Sequence, residues 1–231
     1  MSTQHALHAF DDAPALAKAL SASIADKLRA AIDASGEAFI AVSGGSTPKR
    51  LFEVLANEAL DWSRVTVTLV DERWVPDTDE RSNARLVQSL LLQHKAADAE
   101  FVPLYVETPT PEAGIGEARA RVAALRQPFD VIVLGMGPDG HTASFFPGGD
   151  RLGEALDATN TALVLPMRAP GAGEPRITFT LPVLLQARSL YLHIQGEDKR
   201  DVLAEAEKPG SALPVAKVLQ AGRPLDIYWC P

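Results

Sequence analysis

The residues with the clearest chemical potential lie between Phe129 and Gly148, where the chain reads FDVIVLGMGPDGHTASFFPG. An apolar strand runs into a glycine-rich turn that presents Asp139 and, two residues later, His141. A carboxylate beside an imidazole at the mouth of a buried strand is an arrangement for proton transfer. The same turn spells G-x-G-x-x-G at Gly135, Gly137 and Gly140, the pattern of a dinucleotide pyrophosphate site. Two features oppose that reading. Asp139 would put a negative charge where the pyrophosphate must sit, and the next strand expected, Thr161 to Leu165, ends in Pro166 and Met167 with no acid for a ribose. A plain strand-to-loop turn with a surface histidine is the remaining alternative for the turn on its own.

Two further loops follow expected strands. Ser43 to Pro48, SGGSTP, combines two glycines that permit close backbone approach with the hydroxyls of Ser43, Ser46 and Thr47. Placed before a helix, such a turn suits a phosphate monoester, although a glycine turn that merely caps a helix has the same composition. It lacks the G-x-x-x-x-G-K spacing of a P-loop. The second loop, DERWVPDTDERSN after Val70, puts Asp71, Glu72 and Arg73 in a row; by itself this is also the composition of a solvated turn. In an open parallel sheet, ligands bind beyond the carboxyl ends of the strands, so all three loops are expected at one edge. Together they predict acid/base chemistry on a phosphorylated metabolite.

Other candidates carry less. His5 and His8 are expected in a frayed terminus, His94 at a helix end and His193 inside a strand, so no histidine pair has metal-ligand spacing. No G-x-S-x-G elbow is present for a serine nucleophile. Trp62, Trp74 and Trp229 are expected to pack or anchor loops.

The elements that must position these residues follow from periodicity. Leu16, Leu20, Ile24, Leu28 and Ile32 recur every four residues, which predicts a helix from near Asp12 to Gly36. Strands are expected over Ala38 to Val42, Val65 to Val70, Phe129 to Leu134, Thr161 to Leu165, Ile177 to Thr180, Ser189 to Ile194 and Leu225 to Cys230. Helices are expected to open at Thr47 and Pro48, at Ser82 (through about Gln93), at Thr110 and Pro111 (through about Arg126) and near Asp198. Strands alternating with helices predict an α/β fold, one domain over residues 1–231, built as a doubly wound, largely parallel sheet with helices on both faces. Pro166 to Pro175, PMRAPGAGEP, breaks regular structure and is open between a surface loop and a flap over the site.

Composition bounds the rest. The chain has 231 residues, 46% hydrophobic and 23% charged, an ordinary globular balance. No apolar run approaches the ~18 residues of a membrane span, and no secretory pattern opens the chain. The single cysteine, Cys230, cannot form an internal disulfide and fits a cytoplasmic setting. A net charge of −8 opposes nucleic-acid binding, so an anionic substrate would be held by a few local cations.

Taken in order, the motifs SGGSTP (Ser43 to Pro48), DERWVP (Asp71 to Pro76) with Ser82 and Asn83, GMGPDGHTASFFPG (Gly135 to Gly148), PRITFTLPVL (Pro175 to Leu184) and GEDK (Gly196 to Lys199) resemble the 6-phosphogluconolactonases. These belong to the wider glucosamine-6-phosphate isomerase/deaminase-like group. The resemblance implies a cofactor-free, metal-free hydrolase that opens 6-phospho-D-glucono-1,5-lactone to 6-phosphogluconate in the oxidative pentose phosphate pathway. It acts on a small phosphorylated lactone, as a monomer or small homo-oligomer. It implies His141 as general base with Asp139 beside it, and Arg73 at the sugar end, either on the oxyanion or positioning substrate. Gly44, Gly45, Ser46 and Thr47 would cradle the phosphate, Arg176 and Lys199 would supply its cations, and Asp71 and Asn83 would contact substrate. The deaminase branch carries a glutamate five residues after its histidine, where this chain has Phe146, and an aromatic moves no protons. A sugar-phosphate sensor is a third reading; no helix-turn-helix segment or basic tail accompanies the chain to support it.

Overall fold

A computed structural model describes residues 5–231. In chain order the elements are β1 (His5–Ala9), α1 (Ala13–Ser35), β2 (Ala38–Val42), α2 (Lys49–Leu55), β3 (Val65–Leu69), β4 (Asp71–Arg73), α3 (Asn83–Leu90), β5 (Glu100–Val102) and α4 (Pro111–Ala123). Then come β6 (Val131–Leu134), α5 (Leu152–Ala155), β7 (Val164–Met167), β8 (Arg176–Phe179), α6 (Leu181–Gln186), β9 (Ser189–Gln195), α7 (Glu197–Glu207), α8 (Ala216–Leu219) and β10 (Leu225–Cys230).

Local chemistry explains most boundaries. Asp12 caps α1 by accepting the Ala15 amide at 2.8 Å, and the apolar stripe is buried from Leu16 through Leu28, with Ile32 only partly covered at the end. Ser82 caps α3 through the Arg85 amide, and Thr110 caps α4 through the Ala113 amide, with Pro111 in its first turn. Both helices stop about three residues before the expected ends. Expectation fails at Thr47: α2 starts at Lys49, Pro48 holds the cap position, and no side chain caps it. The turn bends instead so that Thr47 faces the cleft described below.

Seven strands form a sheet in the order β1-β10-β9-β6-β2-β3-β5, every pair parallel. From β2 the chain steps toward β3 and then β5; from β6 it steps the other way, to β9 and then β10. Right-handed crossovers therefore put α1, α2 and α3 on one face and α4 and α7 on the opposite face. Contacts between α1 and α2 and between α2 and α3 agree with this placement. The order in which the chain adds strands thus reverses between the parallel neighbours β2 and β6.

Three strands leave this sheet. β4, β8 and β7 pair antiparallel in a separate small sheet. The strands expected near Thr161 and Ile177 are therefore not part of the parallel array. β7 also runs through Pro166, which was expected to end it; β7 is an edge strand, where a missing N–H does no harm. The frayed terminus expected at His5 and His8 is likewise corrected. These residues lie in β1, paired to β10, with His5 bonded to Glu207 and His8 to Asp226.

Replacing Asp12 by Ala leaves the Ala15 amide without its acceptor and is expected to lower stability by about 1 kcal/mol. Chemical denaturation measures it, and catalytic parameters should not change, because α1 contributes nothing to the cleft.

Candidate active site

At the carboxyl ends of β2 and β6, where the strand order reverses, the two following turns are stitched together. The Gly135 amide donates to Ser43 Oγ at 3.1 Å, and the Ser43 amide donates to the Val133 carbonyl at 2.9 Å. Asn83 packs directly on the first turn. A Cβ on Gly44 would lie 1.9 Å from Asn83 Oδ1, so only glycine fits there. Asn83 in turn donates through Nδ2 to the Asp71 carbonyl at 3.0 Å.

Beneath this contact lies Glu72, fully buried. Its carboxylate accepts from the amides of Arg73 (2.7 Å), Asn83 (2.8 Å) and Ala84 (2.7 Å) and from Ser82 Oγ (3.0 Å). Burial pushes its pKa up to about 7 against these four donors. One side chain thereby ties β4 to the start of α3 and fixes the backbone of Arg73 and Asn83. Asp71, next to it, accepts from Ser144 Oγ at 2.6 Å, which links the second loop to the histidine turn. The row of charges that reads as a solvated turn is thus largely internal.

The antiparallel register pairs Arg73 with Arg176, setting two guanidinium groups side by side. Arg73 donates to the Arg81 carbonyl, and Arg176 Nη2 to the Ala172 carbonyl at 2.6 Å. Nε of each is buried and, among the described residues, has no hydrogen-bond partner. Burial lowers the Arg176 pKa, with Asp71 opposing and Arg73 adding to the effect. Paired, half-satisfied cations of this kind favour an anion.

In the histidine turn, His141 Nδ1 lies 2.5 Å from Asp139 Oδ1, and the His141 amide donates to the same oxygen at 3.2 Å. Burial raises the Asp139 pKa, but the hydrogen bond and charge of His141 and the backbone amides outweigh it, so the net shift is downward. An ionised Asp139 holds the proton on Nδ1 and leaves the Nε2 lone pair free. Gly137 crowds the ring edge: a Cβ there would stand 2.1 Å from Cε1 and Nδ1. Lys199, at the start of α7, has its pKa lowered by burial, with Asp198 and Asp139 opposing.

These side chains meet in one cleft of about 320 Å³. Gly44, Gly45, Ser46, Thr47, Asp71, Arg73, Asn83, His141, Arg176 and Lys199 all line it. Asp139 does not; it stands behind His141. Met136, Ala143 and Gly171, to which the sequence assigned no role, also line the cleft, as does Phe146, read there only as the residue in place of the deaminase glutamate. Ala143 adopts φ +47°, a left-handed conformation that an alanine does not announce. Gly171 shows that the loop after β7 is a wall of the site. Among the described residues no group of three or more His, Cys, Asp or Glu is arranged to hold a metal ion. His193 is buried in β9, its pKa lowered to about 4 by that burial, and does not reach the cleft.

A family model described as glucosamine-6-phosphate isomerases/6-phosphogluconolactonase matches residues 11–229. The chain belongs to this family. It is 54% identical to a 6-phosphogluconolactonase of Rhizobium meliloti (strain 1021), over 97% of this chain and 98% of that protein. A 6-phosphogluconolactonase of Mesorhizobium japonicum is 48% identical, over 97% of this chain and 94% of that protein. In three dimensions the chain is similar to the crystal structure of a 6-phosphogluconolactonase from Shewanella baltica OS155, with a TM-score of 0.95, 41% identity and 98% of each chain covered.

Gly137→Ala tests the geometry of the turn. The added methyl must displace the imidazole, so the variant is expected to stay folded and to lose at least about a hundredfold in kcat. Near-normal turnover in the folded variant would show that His141 does not need its observed position.

Proposed function

We propose that this chain hydrolyses 6-phospho-D-glucono-1,5-lactone to 6-phospho-D-gluconate in the pentose phosphate pathway, with His141 as general base. The observation that carries the reading is His141 itself: Nδ1 is bound to Asp139 and, among the described residues, Nε2 has no hydrogen-bond partner, in a cleft that also holds Arg73, Arg176 and Lys199. The relatives named as 6-phosphogluconolactonases support the substrate. The chain acts as one unit, and most of its buried apolar residues form one cluster. The reaction requires no cofactor, and we place it in the cytoplasm, as a monomer or small homo-oligomer.

In this mechanism Nε2 takes a proton from water as its oxygen attacks C1 of the lactone. The negative charge moves to the former carbonyl oxygen. Asp139 stabilises the imidazolium that forms, as its hydrogen bond to Nδ1 is charge-assisted. The tetrahedral adduct then breaks its bond from C1 to the ring oxygen, and the imidazolium returns the proton to that oxygen, giving the hydroxyl of the open chain. The carboxyl group formed at C1 ionises in water. Gly44 to Thr47 cradle the phosphate with backbone amides and hydroxyls, and Arg176 and Lys199 supply its positive charge. Asp71 and Asn83 contact the sugar. Arg73 stands at the sugar end, and the effect of Arg73→Ala on kcat against KM separates oxyanion stabilisation from substrate positioning. Phe146 occupies the cleft beside His141 and offers no proton, so isomerisation lacks a second acid/base group there.

Arg176→Ala and Lys199→Ala are expected to raise KM with little change in kcat, because the phosphate is bound alike in ground and transition states. A fall in kcat at constant KM, measured with freshly made lactone above its spontaneous hydrolysis, would move that residue into the chemistry.

The pH profile tests the base. kcat/KM is expected to fall at acid pH as His141 becomes imidazolium and loses its lone pair. The substrate phosphate has its own second ionisation near pH 6, which could produce an acid limb of its own. His141→Gln separates the two: the residual rate should fall sharply and lose the acid limb. A limb unchanged in His141→Gln would belong to the phosphate and leave His141 without its role.

A further inference from the structure

The mechanism uses both nitrogens of His141 but does not explain what fixes the plane of its ring. A histidine χ2 torsion is broad, and one hydrogen bond to Asp139 leaves the imidazole free to pivot about it. The Asp139 side chain is itself 41% exposed, and the bonds it makes to His141 lie within the same turn. Phe146 supplies the missing restraint. Its ring stacks on the imidazole with centroids 4.2 Å apart and planes inclined by 28°. The guanidinium carbon of Arg176 lies 5.3 Å from the centroid of the same ring. Phe146 is only 4% exposed. Its backbone is held by bonds from its amide to the Ser144 carbonyl and from the Gly149 amide to its own carbonyl, each 3.0 Å. Ser144 is in turn anchored to Asp71. A rigid aromatic ring therefore touches the base and the phosphate cation at once.

We propose that Phe146 is a positioning residue that holds the His141 imidazole and the Arg176 guanidinium in one fixed arrangement, so that proton transfer and phosphate binding share a single support. This rests on the lactonase reading above. Two attractions act through the ring: stacking with the imidazole and a cation–π contact with the guanidinium. Among the described residues Arg176 Nε has no hydrogen-bond partner, so the ring face adds a restraint that hydrogen bonding does not supply. Truncating Phe146 removes both restraints while leaving every proposed proton donor, acceptor and phosphate cation in the chain.

The experiment compares wild type, Phe146→Leu, Phe146→Met, His141→Ala and the Phe146→Leu/His141→Ala double variant. Methionine keeps most of the volume, so it serves should leucine fail to fold. In wild-type background, loss of the ring is expected to lower kcat by about ten- to a hundredfold and to raise KM several-fold. In His141→Ala background, the same loss should raise KM but lower kcat no further, because the ring acts on turnover through the imidazole. An NMR readout is independent of turnover. The His141 Cε1–H resonance, assigned by its absence in His141→Ala, should lie under the ring current of Phe146 and move downfield in both Phe146 variants. Unchanged kcat, an equal fall in kcat in both backgrounds, or an unmoved imidazole resonance would overturn the proposal. If the wild type does not hydrolyse the lactone, the functional reading fails, and the resonance alone still decides whether Phe146 holds His141.

Discussion

The pairing of β2 with β6 is the constraint on which the site depends. The strands lie side by side and parallel, yet the chain leaves them in opposite directions, one toward β3 and the other toward β9. Two helical layers cannot both cover the gap where the connections part, so a crevice opens beyond the carboxyl ends. The bond from the Gly135 amide to Ser43 Oγ spans that crevice and sets the distance between the hydroxyl-rich turn and the histidine turn. A slip of one residue in this pairing would turn every side chain on β6 to the opposite face and carry Gly135 away from Ser43. Sheet register and catalytic geometry are in this sense one property.

The second constraint is electrostatic. Charges are buried around the cleft, and each must be compensated where it lies. Glu72 is answered by three donors at the start of α3 and by the Arg73 amide in β4. Asp71 is answered by Ser144. Arg176 has the Ala172 carbonyl and the face of Phe146, with Nε left over. The carboxylates are thus nearly satisfied by the protein, whereas the arginines are not. An anion entering the cleft meets groups whose hydrogen-bonding capacity the fold has left partly unused, and this imbalance favours a phosphate over a neutral sugar.

Much of this was legible in the sequence because the relevant signals are local. The four-residue stripe of α1, the capping residues Asp12, Ser82 and Thr110, and the apolar runs of β2 and β10 each act within a few positions. The site was legible through glycines and charges that follow strands, and the family resemblance ordered them. What stayed hidden depends on distant pairing. β1 is short, carries two histidines and exists because β10, more than two hundred residues later, offers an edge. β7 contains a proline, and only its edge position makes that harmless. The small antiparallel sheet could not be inferred from alternation of strands and helices, because departure from the parallel array leaves no mark on periodicity. Phe146 illustrates a different limit: the sequence reads it only as the residue in place of the deaminase glutamate, and its simultaneous contact with His141 and Arg176 exists only in three dimensions.

The overall charge of −8 would seem to oppose a dianionic substrate, yet the two facts act over different distances. Ions in physiological salt screen exposed charges beyond about 8 Å, so most of the surface carboxylates are not felt by a ligand approaching the crevice. Many are also paired at the surface, as Asp79 is with Arg81 and Glu112 with Arg168. Inside the cleft the balance reverses: three cations, Arg73, Arg176 and Lys199, line it together with one carboxylate, Asp71. There the low dielectric strengthens attraction to an anion, and it also raises the cost of leaving those cations alone. Burial lowers the pKa values of Arg176 and Lys199. A bound phosphate would oppose that shift by placing negative charge beside both cations. A negative chain can therefore hold a negative substrate, provided its few cations are brought to one place, as the reversal between β2 and β6 allows.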